Sequence, residues 1–281
     1  MASLSISDRQ QLSFTLVGDV HMGPSNSTRP GEETPGLMKR FVEEINGTPD
    51  MDFLVELGDR VNNLNYEKDR ENALKFARIM NSLSVPYYPI LGNHDIHYLT
   101  KEENREIYGQ PVENRVAFVK GYKLIFLDTE EPVIEDVGGS VSNEQLKWLE
   151  RELTSDDLPK IIFAHHPADD QDIRDNPHFV QFPQLAFVEN REKIRETVGR
   201  GRKVLAYING HVHWFGLYEC NRIPYISVPS FTEAWPEKSG APGMYAQVLI
   251  SENARLELTI RSLNPRRILG KFYWNSTCSS L

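Results

Sequence analysis

The chain has 281 residues, and its 31 Lys and Arg against 40 Asp and Glu give a formal net charge of −9. Hydrophobic residues make up 40% and charged residues 25%, which is typical of a globular protein with a sizeable core. This composition excludes disordered, collagen-like and low-complexity proteins. No apolar run approaches the roughly 18 residues of a membrane span. The acidic balance argues against binding nucleic acid through bulk charge, so we expect neither a membrane nor a stable nucleic-acid partner.

The two cysteines, Cys220 and Cys278, provide neither a disulfide framework nor a zinc-finger spacing. Residues 1–10 lack a basic segment followed by an apolar stretch, so no signal peptide is predicted. We therefore expect a reduced, cytoplasmic protein, and homo-oligomers remain compatible with the sequence.

Short strand-like and helix-like segments alternate through most of the chain. Apolar runs that end near glycine predict strands, and apolar residues at helical spacing predict helices. Ser142, with Gln145 three residues later, has the spacing of a capping box at a helix start. In chain order the predicted elements are strand 12–17, helix 37–45, strand 53–57, helix 67–83, strands 87–91, 116–119 and 124–127, helix 142–153, strand 161–164, helix 187–198 and strand 204–208.

The pattern changes at about residue 214, where the chain becomes strand-rich. Strands are predicted at 215–218, 224–228, 245–250 and 256–260, with little helix between them. An alternation of strands and helices followed by a run of strands predicts a mixed α/β sandwich. No linker-like segment interrupts the pattern, so we expect a single domain over residues 1–281.

Metal-binding residue types recur at the ends of the predicted strands. Four apolar runs end in glycine and then a polar residue, and a fifth leads directly into His165 and His166. Ligands of open α/β sheets bind beyond the carboxyl ends of strands, so strands lying side by side would bring these residues to one crevice. The residues after the four glycines are Asp19 and His21, Asp59, Asn93 with His94 and Asp95, and His211 and His213.

The donor types in this set point to divalent metal ions. Apart from His94, Asp95 and one histidine of the 165–166 pair, it contains two carboxylates, one amide oxygen and four imidazoles, and no thiolate, which suits Mn, Fe or Zn. Seven donors are too many for one tetrahedral ion and fit two ions that share a bridging carboxylate. A single Gly-Asp after a strand is usually only a turn, but its recurrence at successive strand ends favours a metal site.

The order of these motifs resembles the calcineurin-like metallophosphoesterase superfamily. Its signature is Asp-Xaa-His, Gly-Asp-Xaa-Xaa-Asn, Gly-Asn-His-Asp/Glu, His and Gly-His-Xaa-His, and every block occurs here between residues 19 and 213. The resemblance implies a four-layer α/β/β/α sandwich of two mixed sheets. It also implies a centre that holds two divalent metal ions.

Carried over residue by residue, the resemblance implies two ligand sets that share Asp59. His165 is favoured over His166 as a ligand because Pro167 follows two residues later, as in the family pattern His-Xaa-Pro. One ion would be held by Asp19, His21, Asp59 and His213, and the other by Asp59, Asn93, His165 and His211.

The resemblance further implies hydrolysis of a phosphate ester by in-line attack of a hydroxide that bridges the two ions. His94 resembles the family histidine that protonates the leaving oxygen or steadies the transition state. Asp95 is then expected to orient His94 by accepting a hydrogen bond from its ring N–H.

Residues that contact the substrate are less strongly indicated by the sequence. Asn62 is expected to hydrogen-bond near the centre and to position the Asn93 loop. Arg29, the only cation of loop 22–36, and His97, which follows the Gly-Asn-His-Asp block, are the other candidates. Aromatic residues at 214 and 231–235 are candidates for stacking on a planar group, although packing is the commoner role for such residues.

The sequence is most similar to the branch that contains class III cyclic-nucleotide phosphodiesterases and glycerophosphodiesterases. The Arg-rich phosphate-binding signatures of protein Ser/Thr phosphatases are absent from the sequence, and Arg60 stands where purple acid phosphatases carry a tyrosine ligand. A small phosphodiester is therefore the expected substrate. A phosphomonoesterase or a nucleotide pyrophosphatase on the same core is the alternative. A non-catalytic scaffold is disfavoured because all seven ligands and His94 are present.

Overall fold

Two six-stranded mixed sheets organise the structure, a computed structural model that describes residues 10–236 and 240–275. The expectations for Cys278 and for most of segment 1–10 fall outside the described residues. The strands are β1 (Leu12–Val17), β2 (Phe53–Glu56), β3 (Tyr87–Pro89), β4 (Arg115–Val119), β5 (Tyr122–Phe126), β6 (Lys160–Phe163), β7 (Val204–Asn209), β8 (Gly216–Cys220), β9 (Ile223–Ser227), β10 (Met244–Ile250), β11 (Arg255–Leu263) and β12 (Arg266–Asn275). The helices are α1 (Thr34–Asn46), α2 (Tyr66–Met80), α3 (Lys101–Tyr108), α4 (Asn143–Thr154) and α5 (Arg191–Gly199).

Each sheet combines parallel strands with antiparallel edges. The first has the order β12-β11-β10-β1-β2-β3, in which β1, β2 and β3 run parallel. The second has the order β4-β5-β6-β7-β9-β8, in which β5, β6, β7 and β9 run parallel. The carboxyl ends of the parallel strands carry the loops that build the site described below.

Three apolar layers hold the sheets and helices together. Phe14 of β1 and Phe163 of β6 meet in the layer between the two sheets, with their ring centroids 5.8 Å apart. Phe41 of α1 belongs to a second layer on the outer face of the first sheet, and Leu149 of α4 to a third on the outer face of the second. Strands covered on both faces read as continuous apolar runs, as they do here. The four-layer α/β/β/α sandwich is confirmed.

Every strand and helix predicted from the sequence is present, with ends displaced by a few residues. Helix α3 and strand β12 were not predicted. Only Asn104 and Tyr108 of α3 are buried, so the helix shows little apolar periodicity, although Thr100 and Glu103 form a capping box at its start. Strand β12 lies at a sheet edge and is mostly exposed, which explains why its Arg-rich sequence reads as a solvated surface.

The sequence predicted that the five strands carrying the candidate ligands lie side by side. The structure instead divides them between the two sheets. Strands β1, β2 and β3 belong to the first sheet, whereas β6 and β7 belong to the second. Their carboxyl ends meet because the two stacked sheets present these ends at the same edge of the sandwich. No helix in the described part of the chain is both long and apolar enough to cross a bilayer.

A charged cluster supports the opposite end of β6. The ammonium groups of Lys123 and Lys160 are buried, and they lie 3.0 and 2.9 Å from the carboxylate oxygens of Asp156. Burial alone would raise the pKa of Asp156, but hydrogen bonds from Lys160 and Lys123 lower it to about 2. The cluster therefore depends on a charged Asp156.

We expect Asp156→Asn to lower the free energy of unfolding at pH 7 by about 1 to 3 kcal/mol, because two buried ammonium groups lose a compensating charge. The folded-state pKa of Asp156 is lowered, so its contribution is complete above the unfolded value of roughly 4 and is lost as pH falls toward 2. Urea unfolding at pH 7, 5 and 3 measures this change. The exposed neighbour Asp157→Asn is the control, and a penalty that does not shrink at low pH would contradict the assignment.

Candidate metal centre

The seven candidate ligands lie together at one edge of the sandwich, and all are buried. They follow the carboxyl ends of five strands, three from the first sheet and two from the second. The ligands after β1, β2 and β3 are Asp19, His21, Asp59 and Asn93, and those after β6 and β7 are His165, His211 and His213.

The backbone at most of these positions is in the left-handed region, which residues other than glycine rarely adopt. Asp, Asn and His tolerate this region better than most, and such strain concentrates at functional sites. The ligands with positive φ are Asp19 (51°), His21 (46°), Asp59 (57°), His211 (70°) and His213 (66°).

One group of donors surrounds Asp19. The Nε2 atom of His213 lies 3.6 Å from Asp19 Oδ1 and 3.0 Å from Nε2 of His21. The same His21 nitrogen lies 3.9 Å from Asp59 Oδ2. Asp19, His21 and His213 each offer a ligand atom within 4.8 Å of the others, which is the spacing that one shared ion requires.

A second group surrounds Asp59. Its Oδ2 atom lies 3.4 Å from Nε2 of His165, and the ring of His165 lies 5.1 Å from that of His211 between centroids. Asn93 directly follows Gly92, and a Cβ atom on Gly92 would lie 2.2 Å from Asp59 Oδ1. Asp59 therefore stands between the two groups of donors, the position expected of a bridging ligand.

Three buried donor atoms of the second group have no hydrogen-bond partner among the described residues: Asn93 Oδ1, His165 Nε2 and His211 Nδ1. The other nitrogen of each ring is bonded to a main-chain carbonyl, His165 Nδ1 to Leu57 at 2.7 Å and His211 Nε2 to Leu185 at 3.0 Å. In the neutral form of each ring, these bonds place the proton on the bonded nitrogen and leave the other nitrogen with a lone pair, as metal-binding histidines require. The residues present therefore fit divalent metal ions.

His166 is engaged elsewhere. Its Nδ1 atom lies 2.9 Å from the Thr129 hydroxyl and 3.0 Å from Glu130 Oε1, and its Nε2 atom lies 2.8 Å from the Val137 carbonyl. Both ring nitrogens of His166 thus have partners, whereas Nε2 of His165 has no hydrogen-bond partner in the described part of the chain and faces Asp59 Oδ2 at 3.4 Å. This difference supports His165 as the ligand and His166 as a supporting residue.

Charges within the cluster influence one another strongly. Burial opposes ionisation of Asp59, but His165 and His94 hold the pKa of Asp59 well below its ordinary value. Burial lowers the pKa of His165, but the stronger influence of the Asp59 carboxylate raises it above its ordinary value. Burial raises the pKa of Asp19 and lowers that of His213 to about 4. Two buried carboxylates this close together favour a cation between them.

Main-chain contacts fix the two central loops against each other. Asp19 N donates to the Gly58 carbonyl, and His21 N donates to the Asp59 carbonyl, each at 2.9 Å. Gly58 has φ +97°, and a Cβ there would lie 2.8 Å from His165 Nδ1. Any side chain at Gly58 or Gly92 would therefore displace a candidate ligand.

Asp95 does not accept a hydrogen bond from the His94 ring, so that expectation was wrong. Its carboxylate accepts hydrogen bonds from the main-chain N–H groups of Asp59, Arg60 and Gly92, each at 2.9 Å. The Arg60 guanidinium lies 3.2 Å from the same carboxylate and also bonds Glu56. Asp95 therefore ties the two loops that carry Asp59 and Asn93, and it acts on the main chain.

His94 lies at the rim of the cluster. Its Nε2 atom is 3.9 Å from Asp59 Oδ2, its ring is edge-on to His21 at 4.7 Å, and its side chain is 18% exposed. Nδ1 has no hydrogen-bond partner among the described residues, and burial lowers the pKa of His94. A ring in this position can exchange a proton with a group bound over Asp59.

The candidate substrate contacts divide into one that reaches the centre and two that do not. Nη1 of Arg29 lies 3.2 Å from both ring nitrogens of His21. Burial lowers the pKa of Arg29, and the carboxylates of Asp59, Glu233 and Asp19 partly oppose this. Asn62 instead donates to the Pro24 carbonyl at 3.0 Å, so it anchors loop 22–36 and not the Asn93 loop. His97 is exposed against Tyr98 and lies outside the donor clusters of the described residues.

Sequence reasoning missed one carboxylate of the centre. Glu233 Oε2 accepts from His213 Nδ1 at 3.0 Å and from His178 Nε2 at 2.8 Å. The neighbouring Ser230 and Thr232 hydroxyls donate to the Asp19 carbonyl, so this loop supports the first group of donors. An isolated glutamate in a loop follows no motif, and no signal in the sequence identified it.

The chain belongs to the calcineurin-like phosphoesterase family, whose family model matches residues 12–215. A probable glycerophosphodiester phosphodiesterase of Arcobacter nitrofigilis is 28% identical over 65% of this chain and 64% of its own length. A probable cyclic nucleotide phosphodiesterase of Fibrobacter succinogenes is 27% identical over 58% of this chain and 60% of its own. The chain thus spans less than two thirds of the length of these relatives.

Among solved structures, a dimetal phosphatase from Danio rerio is similar in fold. The TM-score is 0.74 at 16% sequence identity, and the match covers 95% of this chain and 99% of that one. At this identity the likeness supports the metallophosphoesterase fold.

We expect His165→Asn to bind fewer metal ions per chain than the unaltered protein after reloading with Mn²⁺. The shorter side chain cannot place a donor where the unpartnered Nε2 of His165 now lies. Elemental analysis after dialysis measures the metal content, and His97→Asn is the matched control. Equal metal content in the two variants would remove His165 from the ligand set.

Proposed function

We propose that this protein hydrolyses small phosphodiesters with the help of two divalent metal ions. One observation carries the proposal: Asp59 lies between two groups of buried donors, and three ligand atoms of the second group have no hydrogen-bond partner among the described residues. Two ions held by these residues would supply a water of lowered pKa and would offset negative charge on the phosphoryl oxygens. The names of the two curated relatives support a diester substrate.

Arg29 is the residue placed to bind the phosphate. It is the cation of loop 22–36, and its Nη1 atom lies 3.2 Å from both ring nitrogens of His21. A planar guanidinium binds phosphate oxygens through paired hydrogen bonds. Asn62 keeps this loop in place through its bond to the Pro24 carbonyl.

His94 is the residue placed to protonate the leaving oxygen. Its side chain is 18% exposed at the rim, whereas the candidate ligands around it are buried. Asp95 contributes by fixing the main chain on either side of Asp59 and Asn93, so its role is positioning. A phosphomonoesterase would use the same residues, and the shape of the substrate pocket separates the two activities.

The proposal is tested by comparing bis-p-nitrophenyl phosphate with p-nitrophenyl phosphate, using protein stripped of metal and reloaded with Mn²⁺. We expect faster turnover of the diester, and loss of both activities in Asn93→Ala, which removes an unpartnered ligand atom. Preference for the monoester would indicate a phosphatase. Turnover that survives in Asn93→Ala would come from a contaminant, and a protein with neither metal nor activity would be a scaffold.

We expect His94→Gln to slow diesters with an alkyl leaving group by about 10²- to 10⁴-fold, the usual contribution of a general acid. Diesters with a p-nitrophenyl leaving group should be affected much less, because p-nitrophenolate leaves without protonation. Comparing kcat for a glycerophosphodiester and for bis-p-nitrophenyl phosphate measures this difference. An equal loss on both substrates would mean that His94 serves binding or structure.

A further inference from the structure

A groove of about 370 Å³ adjoins the candidate metal centre, and apart from His213 and Glu233 the residues that line it have no role in the reaction described above. His213 and Glu233 form one wall of this aromatic groove, so it opens next to the first donor group. Two larger cavities, of about 580 and 450 Å³, share no residue with the centre. Of these three cavities, the aromatic groove is the one that a substituent of an ester bound at the centre could reach.

The rest of the groove is apolar and rich in aromatic side chains. Phe215 and Phe272 stack with their ring centroids 4.1 Å apart, and Trp214 lies nearly parallel to the His213 ring at 6.2 Å. Trp235 lines the groove and is 43% exposed. Such walls suit a flat ring better than a polar glycerol group.

The polar wall of the groove offers little for specific hydrogen bonding. Glu233 Oε2 accepts from His178 and His213, and its Oε1 accepts from the main-chain N–H of Trp235 at 3.0 Å. Because these bonds occupy both carboxylate oxygens, the groove can recognise a bound group only through stacking and shape. Stacking on aromatic side chains tolerates any nucleobase, because every base has a π-face.

Most of this groove lies outside the part of the chain that matches the family. That match ends at residue 215, whereas Trp235, Leu269 and Phe272 follow it. Leu269 and Phe272 come from edge strand β12, which no sequence pattern predicted. The groove is therefore a property of this chain's strand-rich C-terminal part.

We infer that the aromatic groove binds the planar ring of a nucleoside substituent on the phosphodiester, with little preference among bases. This inference rests on the proposed function and adds the class of substrate. The phosphate would lie beside His213 and Arg29, and the ring would lie between Trp235 and the β12 wall. A volume near 370 Å³ is at the lower end for small-molecule pockets, which suits one such ring system.

The kinetic test uses two substrates that release the same leaving group, the p-nitrophenyl ester of thymidine 5′-phosphate and methyl p-nitrophenyl phosphate. With the Mn²⁺-loaded chain we expect kcat/KM to favour the nucleoside ester by about ten-fold or more. Trp235→Ala, which keeps the main-chain bond to Glu233, and Leu269→Trp, which fills the groove, should remove that preference. Rates on the methyl ester should stay within two-fold, and Phe118→Ala, at an exposed aromatic residue outside the groove, is the control.

Each contrary result has a distinct meaning. Hydrolysis of both esters without a preference, or an equal loss on both in the groove variants, would overturn the inference and leave the proposed function intact. A preference for lysophosphatidylcholine over the nucleoside ester that disappears in Trp235→Ala would show that the groove binds an alkyl chain. That result would also overturn the inference.

A binding measurement separates the inference from catalysis. Adenosine 5′-monophosphate should quench the tryptophan fluorescence of the chain, and glycerol 3-phosphate, which lacks a ring, should not. The quenching should be lost in Leu269→Trp and kept in Phe118→Ala. If no ester is hydrolysed, the proposed function fails while this measurement still tests the groove, and equal responses to both ligands would overturn the inference.

Discussion

The structure depends on one electrostatic constraint, a buried cluster of carboxylates and imidazoles drawn from two separate sheets. Asp19 and Asp59 are fully or almost fully excluded from water, and burial penalises the charge of each. Such a cluster is costly unless cations and hydrogen bonds compensate it. The contacts around it hold donor atoms in place: Leu57 fixes the ring of His165, and Asp95 fixes the loops on both sides of Asp59.

Much of this arrangement could be predicted from the sequence because its signals are local. A short apolar run, a glycine and a metal-binding residue mark a strand end wherever the strand lies in the fold. The pairing of strands into two sheets depends on distant segments. The sequence therefore predicted that the ligands come together, but it did not predict that two stacked sheets bring them together. Asp95 shows the same limit, because its partners Asp59 and Arg60 are 35 residues or more away in the chain.

The strand-rich C-terminal part gave weaker sequence signals, and it holds the residues that sequence reasoning missed. Strand β12 is mostly exposed at a sheet edge and shows no regular apolar alternation, and Glu233 is a single carboxylate without a motif. The candidate ligands lie on loops that carry the family motifs, whereas the aromatic groove is built mostly from segments beyond residue 215. This division suits a fold in which one chemistry serves different substrates through changes beside the centre.

The backbone bond from His211 N to the Asp19 carboxylate joins residues 192 positions apart. Closing so long a loop costs conformational entropy. This cost is offset only once packing in the cores of both sheets has formed. The first donor group, which needs both Asp19 and His213, therefore exists only in the completed fold. A chain stopped before β7 would contain most of the recognisable motifs and still lack His211 and His213, so both donor groups of the candidate centre are complete only once β7 has joined the second sheet.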